Sequence, residues 1–266
     1  MKLVMNGALG RMGRRILALA SEDSEIQITG AVESGYEAEM GNDVGILVGI
    51  RNLRVPLTND LAAALKIADV VIDFTWPGSI MTTAEICGKF KTPLVMGTTG
   101  LEADKRREFE RLVSPIPCVM APNMSVGVNL LFKLAGEAAS ILGNEYDVEI
   151  TETHHRFKKD APSGTANRLA EIVAGSSGRN PEKDVRYGRH GITGERTRSE
   201  IGIHALRIGD VVGEHTVSFG TIGERIELVH KAQSRDAFAK GALRAARFVI
   251  NASPGLYDMQ DVLGLK

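Results

Sequence analysis

A stretch of fifteen residues near the middle of the chain, ETHHRFKKDAPSGTA (152–166), gathers groups that can transfer protons and bind charge. His154 and His155 are adjacent, and Lys158 follows them closely. An imidazole has a pKa of about 6.5, so it can deliver a proton at neutral pH. Lys158 offers a cation for a substrate carboxylate, or a second proton source. The stretch therefore indicates acid–base chemistry on an anionic substrate.

The end of this stretch is typical of a helix start. Pro162 favours a first helical turn, and Ser163 or Thr165 can cap it. Backbone N–H groups at a helix start can hold a carboxylate. Together with Lys158, these features predict a small anionic substrate, for which a diacid is a candidate.

A glycine-rich turn, NGALGRMG, places Gly7, Gly10 and Gly13 between the first expected strand and its helix. Such a turn lets backbone N–H groups approach a pyrophosphate at the positive end of the helix dipole. Glycine turns also precede helices for steric reasons alone, so the context decides. Glu33 lies 20 residues beyond Gly13, where an acid can bind the adenosine ribose, although a glutamate at a strand end can also be a plain surface residue.

Two later strand ends, GTTG (97–100) and APNMS (121–125), offer small polar residues that expose their backbone. Residues of this kind suit the lining of a nicotinamide. A dinucleotide implies hydride transfer, and reducing a polarised double bond also requires a proton and a way to hold the substrate. The histidine and lysine stretch can supply both.

The elements that must position these groups fall into two patterns. Over 1–125, apolar strands such as KLVMN and DVVIDFT alternate with amphipathic helices, for example one with Ile16, Leu17 and Ala20 on one face. This alternation predicts a Rossmann-type parallel sheet with helices on both faces and ligands at the carboxyl ends of its strands. The helical pattern over 234–251 is expected to return to this domain, which 235–266 would complete.

From residue 126 the regular alternation of strand and helix patterns ends. A long apolar helix pattern leads into the strand YDVEITETHH, and a helix is expected from PSGTANRLAEIV. The polar segment 174–199 reads as an exposed excursion. Three strand candidates with glycine-containing turns follow: EIGIHALRI, VVGEHTVSF and RIELVHKA. Residues 126–234 are therefore predicted to form a second, α+β domain with a mainly antiparallel sheet.

Composition excludes several classes of protein. The 266 residues are 43% hydrophobic and 24% charged, with a net charge of −1, so no nucleic-acid partner is expected. No apolar run approaches the roughly 20 residues that a membrane helix needs. The only cysteines, Cys87 and Cys118, exclude a disulfide framework and favour a reduced, cytoplasmic setting. Both cysteines lie in apolar surroundings and are interpreted as core residues.

The paired histidines have rival interpretations. They could bind a metal, but neighbouring residues of a strand point to opposite faces, and no cysteine or acidic triad has a matching spacing, so no metal is predicted. They could also belong to a polar loop and be satisfied by their neighbours. The three later histidines on strand patterns, His204, His215 and His230, are interpreted as structural.

Taken together, several motifs resemble the dihydrodipicolinate reductase family, and the similarity runs from the first strand to the closing GLYDMQDVL. The motifs are GALGRMG, DFTWPG, GTTG, APNMSVGVN, ETHHRFKKDAPSGTA, GEHTVSF and GERIELVHKA. The resemblance implies an NADH- or NADPH-dependent reduction of 4-hydroxy-tetrahydrodipicolinate to tetrahydrodipicolinate, in the diaminopimelate route to lysine. It also implies a homotetramer assembled through the sheet of the second domain, whose strands offer more apolar surface than one or two helices can cover.

The resemblance assigns roles to individual residues. His154 would donate the proton and Lys158 would be the second catalytic residue. The substrate carboxylates would bind to His155, Ser163, Gly164 and Thr165. The cofactor-binding residues would be Gly7, Ala8, Leu9, Gly10, Arg11, Met12, Glu33, Gly97, Thr98, Thr99, Ala121, Pro122, Asn123 and Met124.

Two positions depart from the family pattern and bear on the cofactor. Ser34 directly follows the ribose-binding acid, where relatives that use both cofactors can carry an arginine. Trp76 stands in DFTWPG where some relatives have an arginine, so a charged contact is absent there. Arg11 is a candidate substitute near the adenosine. We expect both cofactors to work and NADH to be favoured.

Two other functions stay open on the residues alone. One is a different Rossmann-type dehydrogenase of a small acid, such as a homoserine or semialdehyde enzyme; the latter needs a reactive cysteine that the chain does not display. The other is a non-catalytic dinucleotide-binding module, which would keep the glycine turn but would not need the His-Lys-Pro-Ser-Gly-Thr residues.

Overall fold

The computed structural model describes residues 1–266 and divides them into two compact units. The first unit comprises Met1–Val126 and Arg235–Lys266, and the second comprises Gly127–Ser234. Each unit contains one sheet and the helices that pack on it, which confirms the predicted α/β fold class.

The strands and helices have the following bounds. The strands are β1 (Lys2–Asn6), β2 (Gln27–Val32), β3 (Leu57–Thr58), β4 (Val70–Asp73), β5 (Leu94–Met96), β6 (Pro117–Met120), β7 (Asp147–His154), β8 (Val185–Tyr187), β9 (Ile201–Arg207), β10 (Gly213–Thr221), β11 (Glu224–Ala232) and β12 (Gly255–Tyr257). The α-helices are α1 (Arg11–Glu22), α2 (Val44–Leu47), α3 (Leu61–Ala64), α4 (Ile80–Phe90), α5 (Arg106–Val113), α6 (Val126–Leu142), α7 (Gly164–Ser177), α8 (Pro181–Asp184), α9 (Asp236–Val249) and α10 (Met259–Leu263).

Seven strands form a parallel sheet in the first unit, in the order β12-β6-β5-β4-β1-β2-β3. The predicted alternation of strands and helices is confirmed, and the sequence missed the short outer strands β3 and β12 and the short helices α2 and α10. Strand order reverses at β1, which lies between β4 and β2. In doubly wound sheets of this kind, ligands bind at the carboxyl ends of the strands beside that reversal.

Helices cover both faces of this sheet. On one face α1 buries Ile16, Leu17 and Ala20, as predicted, and α9 packs beside it. The closing helix thus belongs to the first compact unit. On the other face α4 and α5 contribute Cys87 and Phe109 to a second core cluster. A sheet buried on both faces explains why its strands are apolar throughout rather than alternating.

The second unit contains a five-stranded mixed sheet in the order β11-β10-β7-β9-β8. Its β11-β10-β7 half is antiparallel, but β9 is parallel to both β7 and β8. The sequence predicted a mainly antiparallel sheet and did not anticipate the parallel half. The cause is the connection through α7, which returns the chain so that β9 enters beside β7 in the same direction. The segment expected as an exposed excursion also supplies α8 and the edge strand β8.

Helix α6 packs on this sheet together with α7. Leu131, Phe132 and Ala135 of α6 are buried in the core that the two helices and the sheet share. By length and composition, Val126–Glu145 is also long and apolar enough to cross a membrane, with 33% of the stretch buried. The sequence had indicated no such run; Lys133 and Glu137 interrupt its apolar residues.

Candidate active site

The core face of the second sheet changes from apolar to polar at one end. Along β7, residues with the same parity share a face, so Val148, Ile150, Glu152 and His154 all point to the core side. Val148, Ile150 and Glu152 are each 0% exposed. A carboxylate and an imidazole thus occupy positions where the pattern of the strand would otherwise place aliphatic side chains.

Glu152 joins three segments of the second unit. Its carboxylate accepts two hydrogen bonds from the guanidinium of Arg207, at 2.9 and 2.8 Å. It also accepts the backbone N–H of Ser163 at 3.1 Å, and its other side contacts Nδ1 of His154. Arg207 stands directly opposite His154 in the register of β7 and β9. One buried side chain therefore links the histidine, the arginine and the start of α7.

Hydrogen bonds within this cluster stabilise the charged form of Glu152. Burial alone would raise the pKa of Glu152, but the hydrogen bonds from Arg207 and His154 hold that pKa below its usual value. Glu152 is therefore ionised at neutral pH. A buried carboxylate is stable only when it is paired and hydrogen-bonded, and the bidentate contact with Arg207 meets that condition.

His154 has a defined tautomer because of this contact. An ionised carboxylate can only accept hydrogen bonds, so Nδ1 of His154 carries a hydrogen and donates it to Glu152. Burial lowers the pKa of His154, while Glu152 opposes part of that shift. The other ring nitrogen, Nε2, lies beside Gly213, where a Cβ atom would be only 3.0 Å away. Nε2 is thus the nitrogen left to exchange a proton with another molecule.

A second buried histidine supports the same corner. His215 is 3% exposed, and its Nε2 lies 3.1 Å from Oγ of Ser163. Its ring meets that of His154 edge to face, with centroids 5.3 Å apart. Burial lowers the pKa of His215 to about 3, so its ring is neutral. The interpretation of His215 as structural agrees with its burial, although it contacts two residues of the predicted site.

The predicted cap of α7 is confirmed. Ser163 is the N-cap, and its Oγ accepts the backbone N–H of Ala166 at 3.2 Å. The helix begins at Gly164, around which no atom would lie within 4 Å of an added Cβ. Gly164 and Thr165 therefore present the first turn of α7 next to the Glu152 cluster, through Ser163.

Lys158 is not a free cation in this structure. Its Nζ lies 2.9 Å from both carboxylate oxygens of Asp160, and its side chain is 20% exposed. Its charge nevertheless reaches the histidine and contributes to the lowered pKa of His154. His155 lies next in the chain, and its ring is tilted against that of Phe157 at 6.2 Å. His155 follows the last residue of β7, and its Nδ1 is buried without a hydrogen-bond partner.

The glycine turn of the first unit is shaped so that only glycine fits. Gly7 has φ +84°, and a Cβ there would lie 2.3 Å from the carbonyl oxygen of Phe74. A Cβ on Gly13 would lie 2.1 Å from the carbonyl oxygen of Gly7. No side chain caps the start of α1, at Gly10. This close turn against an uncapped helix start fits the pyrophosphate of a dinucleotide.

The ribose end of the predicted cofactor site adjoins this turn. Glu33 accepts the backbone N–H of Leu9 at 2.9 Å and that of Ser34 at 3.1 Å. Beside it lies a cavity of about 680 Å³ at the carboxyl ends of β1, β2 and β4. The cavity is lined by Asn6, Val32, Glu33, Ser34, Asn59, Asp60, Leu61, Ala62, Thr75, Trp76, Gly78, Ser79, Thr82, Thr83 and Ile86. No lysine or arginine is among these residues, and Arg11 lies outside them at the exposed start of α1.

A second cavity in the same unit, of about 410 Å³, brings together the two predicted nicotinamide loops. Thr98 and Thr99 line it from one loop, and Ala121 and Pro122 line it from the other. Three other residues of these two loops make contacts within the fold. The side chain of Met124 is buried, Asn123 accepts the backbone N–H of Ser125, and Gly97 packs against the ring of Phe74.

Two family models together match almost the whole chain. The model "Dihydrodipicolinate reductase, N-terminus" matches residues 1–124, and "Dihydrodipicolinate reductase, C-terminus" matches residues 127–263. The chain belongs to the dihydrodipicolinate reductase family. This confirms the resemblance seen in the motifs, and the chain is therefore an oxidoreductase of a family that depends on pyridine nucleotides.

Individual relatives agree with the family models. The chain is 48% identical over 266 residues to the 4-hydroxy-tetrahydrodipicolinate reductase of Syntrophus aciditrophicus, covering 100% of this chain and 99% of the relative. It is 49% identical over 265 residues to the enzyme of the same name from Syntrophotalea carbinolica, with the same coverage. A dipicolinate-bound dihydrodipicolinate reductase from Paenisporosarcina sp. TG-14 has the same fold, with TM-score 0.79, 23% identity and 98% coverage of each chain.

The sequence missed three residues that the structure places in contact with the predicted site residues or with their partners. Arg207 lies 55 residues from Glu152, and only the pairing of β7 with β9 brings them together. Asp160 was visible two residues after Lys158, but its ion pair depends on the loop. Glu152 could have been found, because it precedes His154 by two residues on a strand and must share its face.

The remaining reactive residue types lie apart from this chemistry. Cys87 and Cys118 are free and buried in the first unit, as predicted for core residues, and burial raises the pKa of both thiols. The structure contains no group of three or more His, Cys, Asp or Glu side chains placed to hold a metal ion.

Proposed function

We propose that this reductase converts 4-hydroxy-tetrahydrodipicolinate to tetrahydrodipicolinate, with NADH or NADPH as the hydride source. The observation that carries the proposal is the contact of Glu152 with Nδ1 of His154, which leaves Nε2 to deliver a proton. Relatives that are 48% and 49% identical bear the corresponding enzyme name. A non-catalytic nucleotide-binding module would have no use for a buried, paired carboxylate behind a histidine.

The reaction needs one hydride and one proton, and it releases the 4-hydroxyl group as water. The bound nicotinamide supplies the hydride. His154, in its imidazolium form, delivers the proton from Nε2 while Glu152 stabilises the charge on the ring through Nδ1. The lowered pKa of His154 makes its protonated form a stronger acid, which favours transfer to the substrate. Glu152 remains ionised throughout, because Arg207 pairs with it.

The two carboxylates of the substrate are bound by separate groups. One binds at the first turn of α7, where Gly164 and Thr165 present backbone N–H groups and the positive end of the helix dipole. Lys158 and His155 bind the other. In the free chain Lys158 forms an ion pair with Asp160, so a substrate carboxylate must compete with Asp160 for the ammonium group. Since Asp160 is 63% exposed, it can give up that contact to water at little cost.

A direct assay tests this function. Freshly made 4-hydroxy-tetrahydrodipicolinate, obtained by coupling the preceding synthase to pyruvate and aspartate semialdehyde, should cause oxidation of NADH or NADPH by the purified chain. Aspartate semialdehyde alone, or homoserine with the oxidised cofactor, should give no change and serves as the control for another small-acid dehydrogenase. Activity on either control and none on the coupled substrate would overturn the proposal.

NADH is the preferred cofactor in this proposal. The 2′-phosphate of NADPH would lie near the carboxylate of Glu33, and no lysine or arginine lines the cavity beside it. Ser34 can offer one neutral hydrogen bond, whereas an arginine could bind the phosphate in a bidentate manner. The loss of one charged hydrogen bond lowers kcat/KM by about tenfold. Measuring kcat/KM for both cofactors at one ionic strength, in the parent and in Ser34→Arg, tests this; equal use by the parent would contradict it.

The assembly we propose is a homotetramer formed through the second sheet. Leu206, Ile226 and Val229 of this sheet are 46%, 42% and 50% exposed, more than a stable monomer needs to leave in water. Light scattering should give a mass of about four times 28.6 kDa. A stable monomer at micromolar concentration would contradict the assembly. The two free thiols are compatible with the reduced cytoplasm, which we propose as its location.

A further inference from the structure

The first unit exposes one tryptophan at the rim of the proposed ribose cavity. Trp76 is the only tryptophan of the chain, and 63% of its surface is exposed. It lines the same cavity of about 680 Å³ as Glu33 and Ser34. A large exposed ring at the rim of a cavity can contact a ligand bound there.

The turn that carries Trp76 is held in place by a buried carboxylate. Asp73, 0% exposed, accepts hydrogen bonds from Thr98 Oγ1 at 2.6 Å and from Thr75 Oγ1 at 2.9 Å. Thr75 Oγ1 lies 2.6 Å from Ser79 Oγ. Ser79 in turn donates to the carbonyl of Trp76, from Oγ at 2.8 Å and from its backbone N–H at 3.0 Å. The backbone on both sides of Trp76 is therefore fixed before any ligand binds, which lowers the entropy cost of binding.

Gly78 sets the position of the indole. A Cβ at this residue would lie 2.1 Å from the Cη2 and Cζ3 atoms of Trp76. The six-membered ring therefore packs against Gly78, along the turn, instead of extending away from it. Its exposed surface remains available to a planar group in the cavity.

The position of the cavity identifies that planar group. It lies at the carboxyl ends of β1, β2 and β4, beside the reversal of strand order, and Glu33 stands in it where a ribose would bind. The base joined to that ribose is adenine, and aromatic side chains bind bases through their faces. We infer that Trp76 stacks on the adenine ring of the dinucleotide. This inference rests on the proposed function, because it takes the cavity to be the adenosine site.

Stacking also suits the charge of the cavity. An arginine at this position would bind the adenosine as a cation and would favour a 2′-phosphate nearby. An indole contributes contact area and no charge, so it strengthens the binding of the adenosine without favouring the phosphate. Trp76 therefore contributes to cofactor affinity in a manner that leaves the preference for NADH intact.

Fluorescence gives a readout that is independent of activity. Because the chain has one tryptophan, its indole emission reports Trp76 alone. ADP-ribose, which has the adenosine but no nicotinamide to absorb the emission, should quench it in a saturable manner. Nicotinamide mononucleotide should leave the emission unchanged. Quenching by nicotinamide mononucleotide with none by ADP-ribose would place Trp76 at the wrong end of the cofactor.

Variants measure the contribution of the ring by calorimetry with ADP-ribose. Trp76→Ala should raise the dissociation constant about 5- to 150-fold, the usual range for a base on an aromatic side chain, while Trp76→Phe should recover most of the affinity. Phe90→Ala removes another exposed aromatic ring from the same unit and should leave the constant unchanged. Thermal unfolding of each variant checks that the unit is folded. An unchanged constant in a folded Trp76→Ala would overturn the inference.

Two further outcomes separate this inference from the proposed function. If ADP-ribose quenches Trp76 but the coupled substrate causes no NADH oxidation, the inference stands and the proposed reaction fails. If the substrate is reduced but Trp76→Ala binds ADP-ribose as the parent does, the reaction stands and the inference fails. No binding of ADP-ribose to the parent chain would also overturn the inference, while the coupled assay would still decide the reaction.

Discussion

Strand β7 carries two glutamates that each meet an arginine and a histidine, on opposite faces of the second sheet. Glu149 pairs with Arg189 at 2.6 Å and with His204 at 2.8 Å, and Arg196 also reaches it. Glu152 pairs with Arg207 and contacts His154. The same three residue types thus meet at two glutamates that are three residues apart on one strand, and only one set includes residues of the predicted site.

The two clusters differ in burial and in what else they hold. The side chain of Glu149 is 30% exposed and that of His204 is 34% exposed, whereas Glu152 is 0% exposed. Burial would raise the pKa of Glu149, but Arg189 and the other partners hold it at about 2, so both glutamates are ionised. Ionisation therefore does not distinguish the clusters. Glu152 differs because it is sealed from water and also binds the backbone of Ser163, at the start of α7.

Glycines accommodate both clusters, but in different ways. A Cβ at Gly202 would lie 1.9 Å from a carboxylate oxygen of Glu149, so that glycine makes room for the anion itself. A Cβ at Gly213 would lie 3.0 Å from Nε2 of His154. In the buried cluster the glycine therefore leaves space beside Nε2, the nitrogen proposed to exchange the proton.

The largest expected effect is a loss of stability on replacing Arg207, and Arg189 provides the comparison. Arg207→Met leaves the Glu152 carboxylate buried without its partner, which should lower the free energy of unfolding by about 3–5 kcal/mol. Arg189→Met removes a more exposed partner of Glu149 and should cost about 1 kcal/mol or less. Chemical denaturation of both variants at pH 7 measures the difference. Equal losses would mean that burial does not separate the two clusters.

The next effect is on turnover, and the two histidines provide the comparison. His154→Gln removes the proposed proton donor, so kcat should fall about 100-fold or more, while the affinity for NADH should barely change. His204→Gln, in the exposed cluster, should retain near-normal kcat. Steady-state kinetics of both variants checks this. Near-normal turnover in His154→Gln would remove His154 from the mechanism.

Two neighbouring lysines test the substrate charge. Lys158→Ala should lower kcat and raise KM, each by roughly tenfold, because it removes a cation near the diacid and a source of protons. Lys159→Ala removes an exposed charge one residue away and should have little effect. Steady-state kinetics with varied substrate compares the two variants. If both have the kcat and KM of the parent, Lys158 is a surface residue with no part in substrate binding or proton transfer.

The smallest effect is a shift in pH dependence. The donor form of His154 is the imidazolium, so kcat/KM should fall as pH rises through the pKa of His154, which burial places below its usual 6.5. Glu152→Gln removes the carboxylate that opposes this shift, so the falling limb should move to lower pH. Glu149→Gln should leave the limb in place. Superimposable profiles for all three proteins would show that Glu152 does not act on His154.

Local spacing made part of this site predictable. The glycine turn, the Ser163 cap and the face of β7 each depend on residues that are neighbours in the sequence, so helix and strand periodicity places each of them correctly. The partner of Glu152 could not be predicted, because it depends on β9 lying beside β7 in parallel, and the sequence favoured an antiparallel arrangement. Asp73 was likewise overlooked in an apolar strand, since its role emerges only when Thr75 and Thr98 converge on it from two different loops.

Glu152 is expected to fix the tautomer of His154 and to raise its proton affinity. Nitrogen NMR of the imidazole rings measures both quantities, with His154→Gln used to assign the signal among six histidines. We predict that neutral His154 carries its hydrogen on Nδ1, that its pKa lies below 6.5, and that Glu152→Gln lowers this pKa further while Glu149→Gln leaves it unchanged. A hydrogen on Nε2 in the parent, or an unchanged pKa in Glu152→Gln, would contradict the account.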